Sequence, residues 1–323
     1  MTGTTVTKVQ TSSELTRAPR IGLALGGGGA RGLAHILMLE VFDEMGLRPR
    51  IIAGTSIGAI LGAAYASGYS AAQIREHTER ILKSRLEILR QAFSARQEPL
   101  QRFMNVFQLR SSLFNAQALL DLVMPPEIAA DFADLEIPLR VIASDFHDQR
   151  QVVHTEGPLL QAIASSMALP GLFAPIEMNG RILLDGGLVN PLPFDVIADE
   201  VDITVAINVA GVGRYASGHT PTAFEAIVTS LQILQHSIVR EKVAARKPDI
   251  LIDVGVGNFH ILEFHKLDKV LAAAAPAKAR LRQQLERILG AETTVPADPK
   301  PAAAADAPLT RRPRLAERLL GRR

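Results

Sequence analysis

The sequence predicts an α/β fold in which a parallel sheet is covered by helices on both faces. Three observations predict it. Two short apolar runs, Ile21–Leu25 and residues 51 to 53, have the length of buried strands and lack the alternation of a half-exposed one. Each run meets a glycine-bearing turn that opens into a helical pattern, so strand, turn and helix recur twice before Gly68. The 323 residues are 47% hydrophobic, enough for one large α/β domain or two small ones and incompatible with disorder throughout.

The elements follow in order. Gly26 to Gly29 end the first strand, and residues 30 to 47 then carry Leu33, Ile36, Leu37, Val41 and Met45 near helical spacing, with Gly46 placed as a C-terminal cap. After the second strand, residues 57 to 66 make a small-residue helix ended by Gly68. Ser70 and Gln73 form a capping-box pattern at the head of a charged helix reaching about residue 96, and the helical reading continues to Pro126. Strands are expected at residues 138 to 144 and 151 to 154, and a hairpin at 176 to 184 that turns at Asn179-Gly180. Two more strands, 202 to 209 and 249 to 254, flank a helix over 222 to 246, and a last helix covers about 262 to 289. Residues 1 to 20 read as a polar leader. Residues 290 to 323, rich in Ala and Pro and ending in Arg, read as an extended tail, which leaves residues 21 to 289 as the folded domain.

Composition removes several function classes. There is no Cys, which excludes disulfides, thiolate metal sites and a cysteine nucleophile. A net charge of +2 and the absence of Trp argue against a nucleic-acid binder. No secretory leader and no membrane-length apolar run is visible, so a soluble, cytoplasmic protein is expected. The small net charge hides two basic segments. Residues 309 to 323 hold six Arg against Glu317, and residues 75 to 110 hold eight Lys or Arg against four Glu. Two readings stand for these: weak peripheral attraction to anionic membrane surfaces, or solvated helix faces with a solubilising tail. Residues 86 to 114 interleave Phe and Leu with Arg, the pattern either of an acyl-chain wall or cover, or of an ordinary amphipathic helix pair.

Three constellations can carry chemistry. Gly27-Gly28-Gly29-Ala30-Arg31-Gly32 matches G-x-G-x-x-G between a strand and a helix, where backbone N–H groups can face an anion. A pyrophosphate would need a carboxylate at the end of the second strand, or Lys and Ser/Thr after Gly32, and neither is present; the oxyanion of an acyl-transfer intermediate needs neither. Gly54-Thr55-Ser56-Ile57-Gly58 matches G-x-S-x-G at a second strand-to-helix turn, a setting that exposes a serine hydroxyl on a tight elbow; the plainer reading makes Ser56 a helix N-cap. Asp185 ends an apolar strand at Gly186-Gly187, where partial burial can raise a carboxyl into the range of a general base; the plainer reading has it organise its own turn.

These motifs together resemble the patatin-like phospholipase family. The resemblance rests on LALGGGGARGLAHI (residues 23 to 36), IIAGTSIGAI (51 to 60) and AIASSMALPGLFAPIEMNGRILLDGGLVNPLP (162 to 193), in that family's order and spacing, and the chain is similar to its short, single-domain bacterial members. The resemblance implies a three-layer α/β/α sandwich and lipid acyl hydrolysis by a Ser–Asp dyad, without metal or cofactor. Ser56 would be the nucleophile, Asp185 the general base, and the N–H groups of Gly27, Gly28 and Gly29 the oxyanion hole, supported by Arg31, Gly32, Gly54, Gly58, Gly186 and Gly187. Two rivals remain open. The order Ser56, Asp185, His260 is also that of an α/β-hydrolase triad, and the fold could serve a non-catalytic lipid-binding protein.

Overall fold

The computed structural model describes residues 18–94, 114–211 and 220–292. The strands are β1 (Ile21–Leu25), β2 (Ile51–Thr55), β3 (Leu139–Asp145), β4 (Gln151–His154), β5 (Ile176–Met178), β6 (Arg181–Asp185), β7 (Ile203–Asn208) and β8 (Ile250–Asp253). They form one sheet in the order β5-β6-β3-β2-β1-β7-β8, with β4 also paired to β3. The β3-β2-β1-β7-β8 run is parallel, and β4, β5 and β6 add antiparallel pairings at one end.

Side-chain alternation makes the three layers. Leu23, Leu25, Ile52, Val205 and Ile207 point into the larger core, whereas Ala24, Ile51, Ala53 and Ala206 point to the other face. The larger core is roofed by α1 (His35–Glu44), α2 (Ile57–Ala66), α4 (Ala116–Val123), α5 (Leu159–Ser166) and α7 (Leu267–Glu292). The opposite face is covered by a short 3-10 turn, Phe194–Val196, and by α6 (Ala223–Ala245), which contributes Val239. Buried on both faces, the parallel strands read as continuous apolar runs.

The ends of these elements follow local chemistry. In α3 (Ala71–Ser94) the predicted capping box forms: the Gln73 N–H donates to Ser70 Oγ at 3.3 Å, and the Ser70 N–H donates to Gln73 Oε1 at 2.8 Å. Thr222 and Glu225 cap α6 in the same reciprocal way. Gly46, at φ 62°, closes α1 with the Leu47 N–H bonded to the Phe42 carbonyl at 2.8 Å, the pattern of a glycine C-cap. Asn179 and Gly180 both take positive φ, 52° and 73°, as a two-residue hairpin of this hand requires.

Two elements differ from the sequence reading. The helix expected from residue 30 begins as a 3-10 turn, Gly29–Ala34, before α1 proper. The tighter winding brings Gly32 against Ile57, where a Cβ would lie 2.1 Å from Ile57 Cγ2. Helix α5 was not expected. Its eight residues are too few for a periodicity to stand out, and packing on the sheet stabilises it through Leu159, Ala162 and Ile163, all fully buried.

The basic segment beginning at residue 75 is described only in part. There Arg75 pairs with Glu40 and Glu79, Arg80 with Glu76, and Lys83 with Glu79, the arrangement of a solvated helix face. Residues 95 to 113 and the tail from residue 293 lie outside the described residues, and with them most of the suspected acyl-chain cover and the Arg-rich end. Among the described residues, no helix is long and apolar enough to cross a membrane.

Candidate active site

Strand pairing on β3 builds the site. β2 pairs with Leu139 to Ile142, and β4 pairs with Val141 to Ser144 on the opposite edge. β6 pairs with Ala143 to Asp145, overlapping β4, and therefore occupies the same edge as β2 just beyond its end. Because β2 is parallel to β3 and β6 antiparallel, their C-terminal ends meet head to head: Thr55 lies opposite Ile142 and Asp185 opposite Ala143. Ser56 and Asp185 are thereby brought side by side, close enough for the Ser56 hydroxyl to favour the ionised Asp185 carboxylate.

Ser56 sits at φ 54° and ψ −121°, a backbone conformation rare for a residue with a side chain. Its neighbours hold it there. The N–H donates to Ser166 Oγ at 2.9 Å, and the carbonyl accepts from the N–H groups of Ala59 at 2.9 Å and Ile60 at 3.1 Å. The Thr55 hydroxyl donates to the Asn190 carbonyl at 2.8 Å and pins the end of β2. The Ser56 side chain makes no helix-capping bond, so the N-cap reading does not describe it. Glycine is needed on both sides for close approach: a Cβ at Gly54 would lie 2.6 Å from Ala59 Cα, and one at Gly58 2.1 Å from the Leu25 carbonyl oxygen. Gly58→Ala is expected to cost about 3 kcal/mol or more, since backbone cannot move aside as a side chain can; thermal unfolding measures it.

Asp185 is buried, with 4% of its surface exposed. Burial pushes its carboxyl up to about 6, against the opposing effects of the Gly187 N–H, which donates to Oδ1 at 2.7 Å, and of the Ser56 hydroxyl. The Ser144 hydroxyl donates to the Asp185 carbonyl at 2.8 Å, fixing the strand end beneath it. At Gly186 a Cβ would lie 2.1 Å from the Ile142 carbonyl oxygen, so the turn packs directly on β3. Asp185 thus caps its own turn while standing next to Ser56.

The glycine cradle lies beside this pair, with one correction to the expected donor set. The Gly27 N–H is already donated to the Pro191 carbonyl at 2.9 Å, so it is spent on holding the loop and is not available to an anion. The N–H groups of Gly28 and Gly29 take no acceptor among the described residues. Gly29 has φ 57°, and a Cβ there would lie 2.3 Å from the Ile261 carbonyl oxygen. Arg31 is buried and acts as a strut: Nε donates to the Phe259 carbonyl at 2.6 Å, Nη1 to the Gly211 carbonyl at 2.9 Å and Nη2 to Gln232 Oε1 at 3.3 Å. His35 braces the loop from below. Its Nε2 lies 2.8 Å from the Gly26 carbonyl and must carry the proton, and burial pushes its pKa down to about 4, so the ring is neutral.

A cavity of about 190 Å³ opens onto Ser56, Asp185 and Gly27 to Gly29. Its walls are mostly aliphatic, from α2 (Ile60, Leu61), α3 (Ile74, Ile81) and α4 (Leu119, Val123), with Val228 and Leu231 from α6. A serine hydroxyl beside a buried carboxylate, with two backbone donors and an apolar cavity alongside, can perform nucleophilic acyl chemistry on an apolar ester.

His260 does not join the pair. Its Nδ1 accepts from the Leu262 N–H at 3.4 Å and its own N–H donates to Glu263 Oε2 at 3.0 Å, closing a local turn. His260→Ala is expected to keep turnover within about tenfold of wild type, and an ester-hydrolysis assay showing a loss near ~10⁴-fold would restore the triad. Sequence reasoning assigned no role to Ser166, Asn190 or Gln232. The pair Ser165-Ser166 stood in a conspicuous small-residue run, but its role depends on α5, which was not foreseen.

A serine and a buried carboxylate meeting at a strand-to-helix elbow, beside a mostly parallel sheet, define an α/β protein with a nucleophile-type constellation. Residues 23–198 match the family model of the patatin-like phospholipases, and the chain belongs to that family. It is 35% identical over 196 residues to an uncharacterized NTE family protein of Mycobacterium tuberculosis, which is 60% of this chain and 50% of the relative. It is 33% identical over 183 residues to neuropathy target esterase sws of Drosophila melanogaster, which is 55% of this chain and 12% of that protein. The chain thus spans half or less of the length of these curated relatives. Among solved structures, VipD from Legionella pneumophila is 13% identical, with a TM-score of 0.45 over 83% of this chain and 67% of that one.

Proposed function

We propose that the protein is a serine lipid acyl hydrolase that cleaves a carboxylic ester of a phospholipid, lysophospholipid or related lipid. The observation that carries this reading is the placement of Ser56, on its strained elbow, beside a buried Asp185 whose carboxyl is raised to about 6, both lining an apolar cavity. The family, and the esterase named among its relatives, support ester cleavage.

In the proposed cycle Asp185 accepts the Ser56 proton as Oγ attacks the ester carbonyl carbon. The carbonyl oxygen becomes an oxyanion held by the N–H groups of Gly28 and Gly29, aided by the positive end of the helical segment that follows. The tetrahedral intermediate collapses, the alcohol leaves with the proton from Asp185, and the acyl group remains on Ser56. Water then gives its proton to Asp185, attacks the acyl carbonyl and releases the fatty acid, and the proton returns to Ser56.

The test is covalent and quantitative. A fluorophosphonate probe is expected to label the purified protein once, on the peptide carrying Ser56, and fatty acid release from a panel of phospholipids, lysophospholipids and glycerides is expected to stop when the label is complete. No labelling, with no ester turnover between pH 5 and 9, would instead favour a lipid-binding protein without catalysis.

A further inference from the structure

The polar lining of the cavity is sparse, and most of it is committed. His77 Nε2 bonds the Val123 carbonyl at 2.9 Å, and the Thr78 hydroxyl donates to the Ile74 carbonyl at 2.7 Å. Gln232, which also lines the cavity, is different. Its Oε1 accepts from Arg31 Nη2 at 3.3 Å, and because a guanidinium has only donors, the oxygen must be the atom that faces it. The amide nitrogen is therefore turned away from Arg31. That nitrogen is buried and has no hydrogen-bond partner among the described residues.

Only one other buried side-chain atom among the described residues shares this condition, His35 Nδ1. Its case has a local cause. The His35 proton is held on Nε2 by the Gly26 carbonyl, which leaves Nδ1 as a bare lone pair in the hydrophobic core, and His35 does not line the cavity. Gln232 presents two N–H donors instead, and an unmet buried donor carries a desolvation penalty that a bound acceptor would remove. One turn further along α6, Gln235 also lines the cavity and lies against the turn after Asp185, where a Cβ on Gly187 would come within 2.5 Å of its Nε2.

An ester has three parts to place. The acyl chain suits the aliphatic wall of α2, α3 and α4, and the scissile carbonyl suits the N–H groups of Gly28 and Gly29. The alcohol part is left for α6. We infer that Gln232 is a specificity-determining residue, donating from Nε2 to an acceptor oxygen on the alcohol part of the substrate, and so selecting acyl esters of polyols such as glycerol over esters of simple alcohols. This rests on the reading of Ser56 as the nucleophile of an ester hydrolase.

The experiment compares monooctanoylglycerol with ethyl octanoate, which share an acyl chain but differ in acceptors on the alcohol. Octanoate release by the full chain is measured for wild type, Gln232→Glu, Gln232→Met and Ser56→Ala. Glutamate keeps an acceptor for Arg31 and removes the donor; methionine removes both, so only the methionine variant should lower the melting temperature. Wild type is expected to prefer the glycerol ester, and the ratio of kcat/KM values between the two esters is expected to fall about tenfold or more in both Gln232 variants. An unchanged ratio in either variant overturns the inference, since a merely structural strut would weaken both esters alike. Equal rates for wild type and Ser56→Ala would overturn the nucleophile reading itself and remove the basis of the inference with it.

Discussion

Ser56→Ala is expected to lower ester turnover by about 10⁴-fold or more, the scale on which loss of a nucleophile acts when the rest of the site remains. The variant keeps the cavity, the two backbone donors and Asp185, so substrate binding should survive. Lipid binding without fatty acid release, measured on the same preparation, separates this outcome from misfolding. A second substitution isolates the backbone. Ser56 holds φ 54° and ψ −121°, which costs a residue with a side chain about 1–3 kcal/mol and a glycine far less. Ser56→Gly should therefore be as inactive as Ser56→Ala but more stable than it by about 1 kcal/mol in thermal or denaturant unfolding. Equal stabilities would mean that the elbow is not strained, and measurable turnover by either variant would remove Ser56 from the chemistry.

Asp185→Asn is expected to remove most of the turnover, about 10³-fold or more, because asparagine can still accept a hydrogen bond but cannot take the proton from Ser56. The wild-type pH profile should carry the same signature. With the carboxyl raised to about 6, kcat/KM should climb as pH rises through about 6 and then level, and whatever turnover the asparagine variant retains should lack that limb. Stability should move the other way. Between the unperturbed value of 3.8 and about 6 the native state holds a proton that the unfolded chain has released, so stability is lost as pH rises through that window. The displacement corresponds to a cost of about 3 kcal/mol, present in full above about pH 6 and absent below about pH 4. The asparagine variant would carry no such penalty while keeping an acceptor for the Gly187 N–H. A higher melting temperature for the variant than for wild type at about pH 7.5, converging near pH 4, is the expected result. A melting temperature that is lower at every pH would show that the burial of Asp185 is not a source of stored free energy.

Much of the fold was legible along the chain. The strand Gln151–His154 and the helix Ile57–Ala66 occur with the bounds read from sequence, because turn residues on either side end them sharply. The Asn179-Gly180 hairpin was readable for the same reason: few residue pairs tolerate positive φ twice. Helix α5 was not readable, since its stability comes from burial against the sheet and not from its own eight residues. The 3-10 start at Gly29–Ala34 was hidden likewise, because its tight winding answers to Ile57, which belongs to another element.

The site divides along the same line. Residue types and spacing alone marked a serine between close-packed glycines, a carboxylate at a strand end and a run of backbone donors, since each depends on a few adjacent residues. Whether Ser56 meets Asp185 was decided by the register of β3, which places the ends of β2 and β6 on one edge, and no local pattern encodes a pairing between distant segments. The fate of individual donors was decided there too. Gly27 and Gly28 look alike in the chain, yet the first gives its N–H to Pro191 and the second does not, and Gln232 has its oxygen held by Arg31 from across the fold while its nitrogen meets no acceptor among the described residues. Hydrogen bonds act over about 3 Å, so which of them form depends on where the packed chain puts its atoms rather than on their order along it.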